Sequence, residues 1–212
     1  IYIWGASLVP ADQASLPYRR VNTATDYDTV GFPTYLSFNG SNSSMATNSI
    51  DFTATDKMTV FAGVRRTDEN SVSTKILLEL SNSVVNAGTF NVQAPRGVAG
   101  VPYGTESGGS IPYAALVVSG AYIAPITNIV TSIYSINTDV LTLRVNGNQA
   151  ATSAADQGTG NYGNYPLYIG ARGGASLFFN GNLYNLIIRG AQSSDAQIAS
   201  AENYVNQKTK AY

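Results

Sequence analysis

Apolar and polar residues alternate with period two in a series of short runs along this chain. In KMTVFAGVR, residues 57–65, Met58, Val60, Ala62 and Val64 share one face while Thr59, Phe61 and Gly63 share the other, as in a strand. YLSFNG, residues 35–40, points Leu36 and Phe38 inward and ends on Asn-Gly, a strong hairpin signal. LTLRVNGNQA repeats the device, with Leu141, Leu143 and Val145 on one face and the turn at Asn146-Gly147. Further strands are predicted at Lys75–Leu80, Thr89–Gln93, Ala114–Ser119, Asn128–Ser135 and Val140–Val145, each broken by Gly, Pro, Asn or Ser. Strands spaced by roughly 8 to 15 residues, with no helical period between them, predict an antiparallel sandwich or barrel.

The stretch 165–208 carries the most order: a short strand, a glycine-rich turn, an Asn-Gly corner, a longer strand and one helix. Tyr184, Leu186 and Ile188 are expected on one face of the long strand and Leu183, Asn185 and Ile187 on the other. Both faces are largely apolar, so one should meet the helix, and the strand itself is expected at the centre of its sheet. Ser194 with Gln197 predicts a capping box, Asp195 lies at the positive end of the helix dipole, and Ile198, Ala201 and Val205 mark the buried face. The helix should pack on the sandwich edge. The turn Gly170–Gly174 joins two strands rather than opening a helix, which removes a phosphate-cradle reading.

Two connections read as long loops, 94–112 and 151–165, rich in Gly, Pro and small polar residues. Loops of that length in a compact domain are often functional. Residues 1–30 read as one strand and an extended connector, expected to continue an upstream part of a longer chain, and 31–212 as one β-sandwich domain.

Composition narrows the chemistry. With neither cysteine nor histidine in the 212 residues, disulfides, thiolate metal sites and Ser-His-Asp catalysis are excluded. Only 12% of residues are charged and the net charge is −1, which argues against a nucleic-acid surface. No apolar run reaches the roughly 20 residues of a membrane helix, so membrane insertion is not expected. Glycoside hydrolysis needs two facing carboxylates; Glu79, in KILLEL, is the one acidic residue embedded in an apolar strand, and no strand carries an acidic triplet. Catalysis is therefore not expected. Asp26 and Asp28 are the nearest approach to an acidic cluster and the only candidate calcium ligands, too few for the six to eight oxygens of a complete site. Sugar recognition asks for hydroxyl-matching polar groups and an aromatic ring. The two loops offer Tyr103, Glu106, Asp156, Asn161, Tyr162, Asn164 and Tyr165 as candidate ligand-binding residues.

YLSFNG with DFTATDKMTVFAGVRR, then LTLRVNGNQAATS, then PLYIGARGGASLFFNGNLYNLIIRGAQSSDAQIASAENYVNQK, fall in an order that resembles the concanavalin A-like lectin/glucanase fold in its laminin-G-like branch. The resemblance implies an all-β, two-sheet antiparallel jelly roll with one short C-terminal α-helix. In that fold Phe38 and Phe178 or Phe179 would plug opposing sheets, and Gly170 and Gly181 would permit turns or close approach. Asn185 stands where many members carry a carboxylate. The opening IYIWGASLVPADQASLPYRR resembles a segment of bacteriophage tail proteins, with Ser7 and Val9 in place of the usual Gln and Glu. The two resemblances together imply a non-catalytic module of the phage tail that recognises a host cell-surface glycan or other envelope receptor, located in the virion. Other tail-fibre subunits, in a homotrimer, are the implied partners. The alternative is a structural trimerisation or spacer domain of the fibre.

Overall fold

The computed structural model describes residues 34–67, 73–82, 87–97, 101–110, 114–118 and 122–212. The N-terminal strand and connector, with Asp26 and Asp28, lie outside the described residues. Twelve strands form two six-stranded sheets, with every neighbouring pair antiparallel. The strands are β1 Leu36–Asn39, β2 Met45–Asp51, β3 Lys57–Arg66, β4 Ile76–Leu80, β5 Thr89–Gln93, β6 Tyr103–Gly108, β7 Ala114–Val118, β8 Ile126–Ser135, β9 Val140–Val145, β10 Asn148–Ser153, β11 Asn164–Ile169 and β12 Asn180–Arg189; helix α1 spans Asp195–Thr209. The first sheet runs β1-β12-β3-β8-β9-β10 and the second β2-β11-β4-β5-β6-β7. This is the two-sheet jelly-roll sandwich with a C-terminal helix that the family resemblance implies, where the alternation alone left sandwich or barrel open.

The period-two faces of β3 account for two cores. Met58, Val60, Ala62 and Val64 enter the core between the sheets, with Phe38, Leu78, Phe90 and Leu141. Phe61, on the opposite face, joins Ile129 and Ile133 of β8 under Ile198 and Val205 of α1. The helix thus lies on the outer face of the first sheet, over β3, β8 and β12, and not on the sandwich edge. Gly63 makes the seat: a Cβ there would stand 2.2 Å from Thr209 Cγ2. The predicted capping box is present, with Ser194 accepting from the Gln197 amide and Gln197 accepting from the Ser194 amide. Arg144 of β9 clamps the helix through a two-pronged ion pair with Glu202, at 2.9 and 3.0 Å.

β12 departs from the expected pattern in two ways. It lies between β1 and β3, next to the sheet edge rather than at its centre. The register slips between Leu183, opposite Val64, and Asn185, opposite Gly63, so one extra residue flips the alternation. Leu183, Leu186 and Ile188 consequently all pack on the inter-sheet core, and Ile187 packs under the helix.

Two strands carry no period-two signal. β2, MATNSID, is exposed except at Ile50, which packs half-buried on the core, and exists as a strand because β11 pairs with it. β6 lies inside the predicted loop 94–112, so that segment is not one loop; Gly104 and Gly108 dilute its pattern, and its neighbours β5 and β7 hold it extended. Phe38 and Phe179 do meet in the core, with ring centroids 5.9 Å apart, but from neighbouring segments at the edge of the first sheet, where the Gly40 amide donates to the Phe179 carbonyl, and not from opposing sheets. Gly170, at φ 82°, lets that pairing form, since a Cβ would stand 2.3 Å from the Phe38 ring.

Candidate functional site

The outer face of the second sheet carries the densest cluster of charged side chains bonded to one another among the described residues. Alternation in β5 sends Phe90 and Val92 into the core and therefore Asn91 and Gln93 outward. Asn91 lies opposite Glu79 of β4 and opposite Glu106 of β6, and Glu79 lies opposite Tyr168 of β11. A row Tyr168–Glu79–Asn91–Glu106 thus crosses four strands on one face.

Two arginines roof this row. Arg172, on the glycine-rich turn after β11, places Nε 3.0 Å from Glu79 Oε2 and Nη2 3.9 Å from Glu106 Oε2. Glu79 also accepts from Ser81 Oγ at 2.8 Å and from the Gly173 amide at 3.3 Å. Glu79 therefore anchors the turn on the sheet. Arg96 reaches Glu106 from the other side, Nη1 to Oε1 at 2.8 Å, and Asn91 Nδ2 donates to Glu106 Oε2 at 2.8 Å. Gln93 Nε2 donates to Asn91 Oδ1 at 2.9 Å. Gly104 lets Arg96 lie against the sheet, because a Cβ would stand 2.7 Å from Arg96 Cδ and 2.8 Å from Gln93 Oε1. The roof explains why β4 and β5 are buried on both faces. It also leaves a partly open polar surface: the side chains of Arg96, Glu106 and Arg172 are 26%, 24% and 21% exposed.

Of the seven residues expected to bind ligand, Glu106 alone belongs to this cluster. Tyr103 and Tyr162 are interior residues, 0% and 1% exposed, and not loop contacts. The Tyr103 hydroxyl accepts from Asn128 Nδ2 at 2.8 Å beneath the Arg66 guanidinium, and the Tyr162 hydroxyl bonds Ser107 Oγ at 2.8 Å. Burial pushes both phenols above their usual range, as it does Tyr134. Asp156 holds its own turn by accepting from the Gly158 amide, Asn161 donates to the Thr53 carbonyl, and Tyr165 donates to the Ala87 carbonyl. Asn164 begins β11 opposite Asp51 at the exposed end of that strand. Asn161 and Tyr165 thus tie the end of the connection 154–163 and the start of β11 to Thr53 and Ala87.

Elsewhere, a groove of about 410 Å³ opens between Leu36, Tyr35, Ile169 and Tyr184. The Tyr35 and Tyr184 rings meet edge to face at 5.3 Å. Its lining is mainly apolar and includes no charged residue.

Asn91 and Gln93, inside β5, escape a reading of the chain that looks for ligand contacts in loops, whereas Arg96 and Arg172 lie in a loop and a turn with no local pattern to mark them. The available signal is the polar alternation inside a buried strand, TFNVQ, and the lone Glu of KILLEL, which together mark a polar layer under cover.

A search of curated protein sequences finds no match. Among solved structures, the native heptameric SAP-like pentraxin from Limulus polyphemus superposes with a TM-score of 0.59 at 12% identity, over 78% of this chain and 80% of that one. The Ruminococcus gnavus IT-sialidase CBM40 bound to alpha2,3 sialyllactose gives 0.53 at 16%, over 74% and 98%. The receptor binding domain of botulinum neurotoxin mosaic serotype C/D gives 0.62 at 11%, over 83% of this chain and 43% of that one. At these identities the likeness is one of fold. The laminin-G-type family model of the concanavalin A-like lectin/glucanases superfamily matches residues 39–199, and the chain belongs to that superfamily.

Proposed function

We propose that this chain is a non-catalytic recognition module of a phage tail fibre or tail protein, and that it binds a host cell-surface glycan on the outer face of the second sheet. One observation carries the reading: Arg96, Glu106 and Arg172 hold partly open hydrogen-bonding groups over a preorganised amide and carboxylate row, with the half-buried Tyr168 at its end. Fixed donors and acceptors beside an aromatic ring suit the hydroxyls and apolar face of a sugar ring. The fold agrees with this use, since similar structures include a sialidase CBM40 with a bound glycan and a toxin receptor binding domain. The tail assignment rests on the N-terminal resemblance of residues 1–20.

The arrangement of carboxylates favours binding over cleavage. Glu79 and Glu106 sit two strands apart, roughly 9.5 Å along the sheet, and Asn91 and Arg172 fill the space between them. Glu79 is 2% exposed and accepts from three donors, which occupies its oxygens with structural partners and disfavours a role as general acid or base.

A glycan array and a host-cell binding assay test the reading, together with competition between the isolated domain and phage particles for adsorption. Binding that falls at least about tenfold in Arg96→Ala and persists in Tyr184→Ala is the expected result. A folded domain that binds no host envelope or glycan overturns it in favour of a spacer role.

A further inference from the structure

We infer that the site takes a neutral, hydroxyl-rich glycan and discriminates against acidic sugars; this rests on the glycan reading of the same face. Charge matching is the first observation. Each arginine of the cluster already has a carboxylate partner within the protein, Arg172 with Glu79 at 3.0 Å and Arg96 with Glu106 at 2.8 Å. The two guanidinium charges are therefore matched by two carboxylate charges. A ligand carboxylate would have to displace Glu106 from Arg96 and then lie beside it, and like charges at contact distance repel. The protein's own carboxylate is tethered, so it competes at high effective concentration.

The second observation is what remains unmet. Gln93 Oε1, although buried, has no donor. It is packed over Gly104 beside Arg96 Cδ and Cβ, all within 3.0 Å of where a Cβ on Gly104 would stand. An unmet acceptor fits a hydroxyl, which can donate to it. A carboxylate only accepts, and would leave Gln93 Oε1 without a partner. Admitting the hydroxyl requires Arg96, 26% exposed, to move aside.

The test is a glycan array of paired neutral and acidic oligosaccharides that differ by a sialic or uronic acid. Titration calorimetry of the best pair follows, at about 50 and about 500 mM salt, a range over which screening shortens from beyond contact to near contact distance. The neutral member is expected to bind at least about tenfold tighter, with affinity changing less than about twofold across the salt range. Glu106→Gln, which releases Arg96, should narrow the preference to within about threefold. Equal or tighter binding of the acidic member by the unsubstituted protein, or a steep loss with salt, overturns this inference and leaves glycan recognition standing. Binding of neither member overturns the glycan reading and this inference with it.

Discussion

Replacing Arg172 by alanine tests whether the Glu79 pair is a buried strut or a surface ion pair. The Glu79 side chain is 3% exposed and that of Arg172 21%, with Nε and Oε2 3.0 Å apart. Surface pairs contribute about 0–1 kcal/mol, whereas removing one partner of a buried pair costs about 3–5 kcal/mol because a charge is left without compensation. Arg172 is partly open and Glu79 keeps the Ser81 hydroxyl, so the lower end applies, about 3 kcal/mol. Glu79→Gln should cost only about 1 kcal/mol, since the neutral amide keeps the volume and Arg172 turns to water and Glu106. The double variant should cost about 1.5 kcal/mol, leaving a coupling of about 2.5 kcal/mol. Urea unfolding with linear extrapolation reads all four proteins, provided the slopes agree. An Arg172→Ala cost below about 1 kcal/mol, additive with Glu79→Gln, would refute the strut and make the pair an ordinary surface contact.

The buried tyrosines predict alkaline unfolding. Desolvation raises Tyr103, Tyr134 and Tyr162 above the ordinary phenol value of 10.0, so unfolding above about pH 10 releases protons and stability falls as pH rises. Their contribution is complete below pH 10 and is lost above it at about 1.4 kcal/mol per pH unit for each tyrosine; a circular dichroism titration showing no loss of structure up to about pH 12 contradicts this. Gly63→Ala drives a Cβ into Thr209 and Val205, and should cost about 1–3 kcal/mol with faster hydrogen exchange in α1; unchanged exchange would mean the helix sits elsewhere. Gly104→Ala meets only Arg96 and Gln93 side chains, and should leave thermal stability within about 1 kcal/mol while lowering glycan affinity about tenfold.

Much of the fold is legible in the chain because period two and capping chemistry are local. Thr89–Gln93 and Val140–Val145 form strands at the predicted bounds, and Ser194 with Gln197 caps the helix as their spacing requires. The misreadings lie where a partner, and not the segment itself, supplies the order. β2 offers the core only Ile50 and is a strand through its ladder to β11; the β12 bulge changes the face of Leu183 through register with β3.

The site divides in the same way. Low charge, no cysteine and no histidine were decided by composition alone, and with them the exclusion of whole classes of chemistry. The sequence also marked Glu79 as an isolated acid in an apolar strand and Glu106 as a polar residue in a small-residue segment. Only tertiary structure could bring Glu79, Asn91, Glu106, Arg96 and Arg172 together, since they come from three strands and two connections separated by up to 93 positions. It likewise took Tyr103 and Tyr162 from the expected loops into the core. A tyrosine's amphipathic side chain suits a sugar face and a sandwich interior equally well, and burial, which depends on every neighbour at once, chose between them.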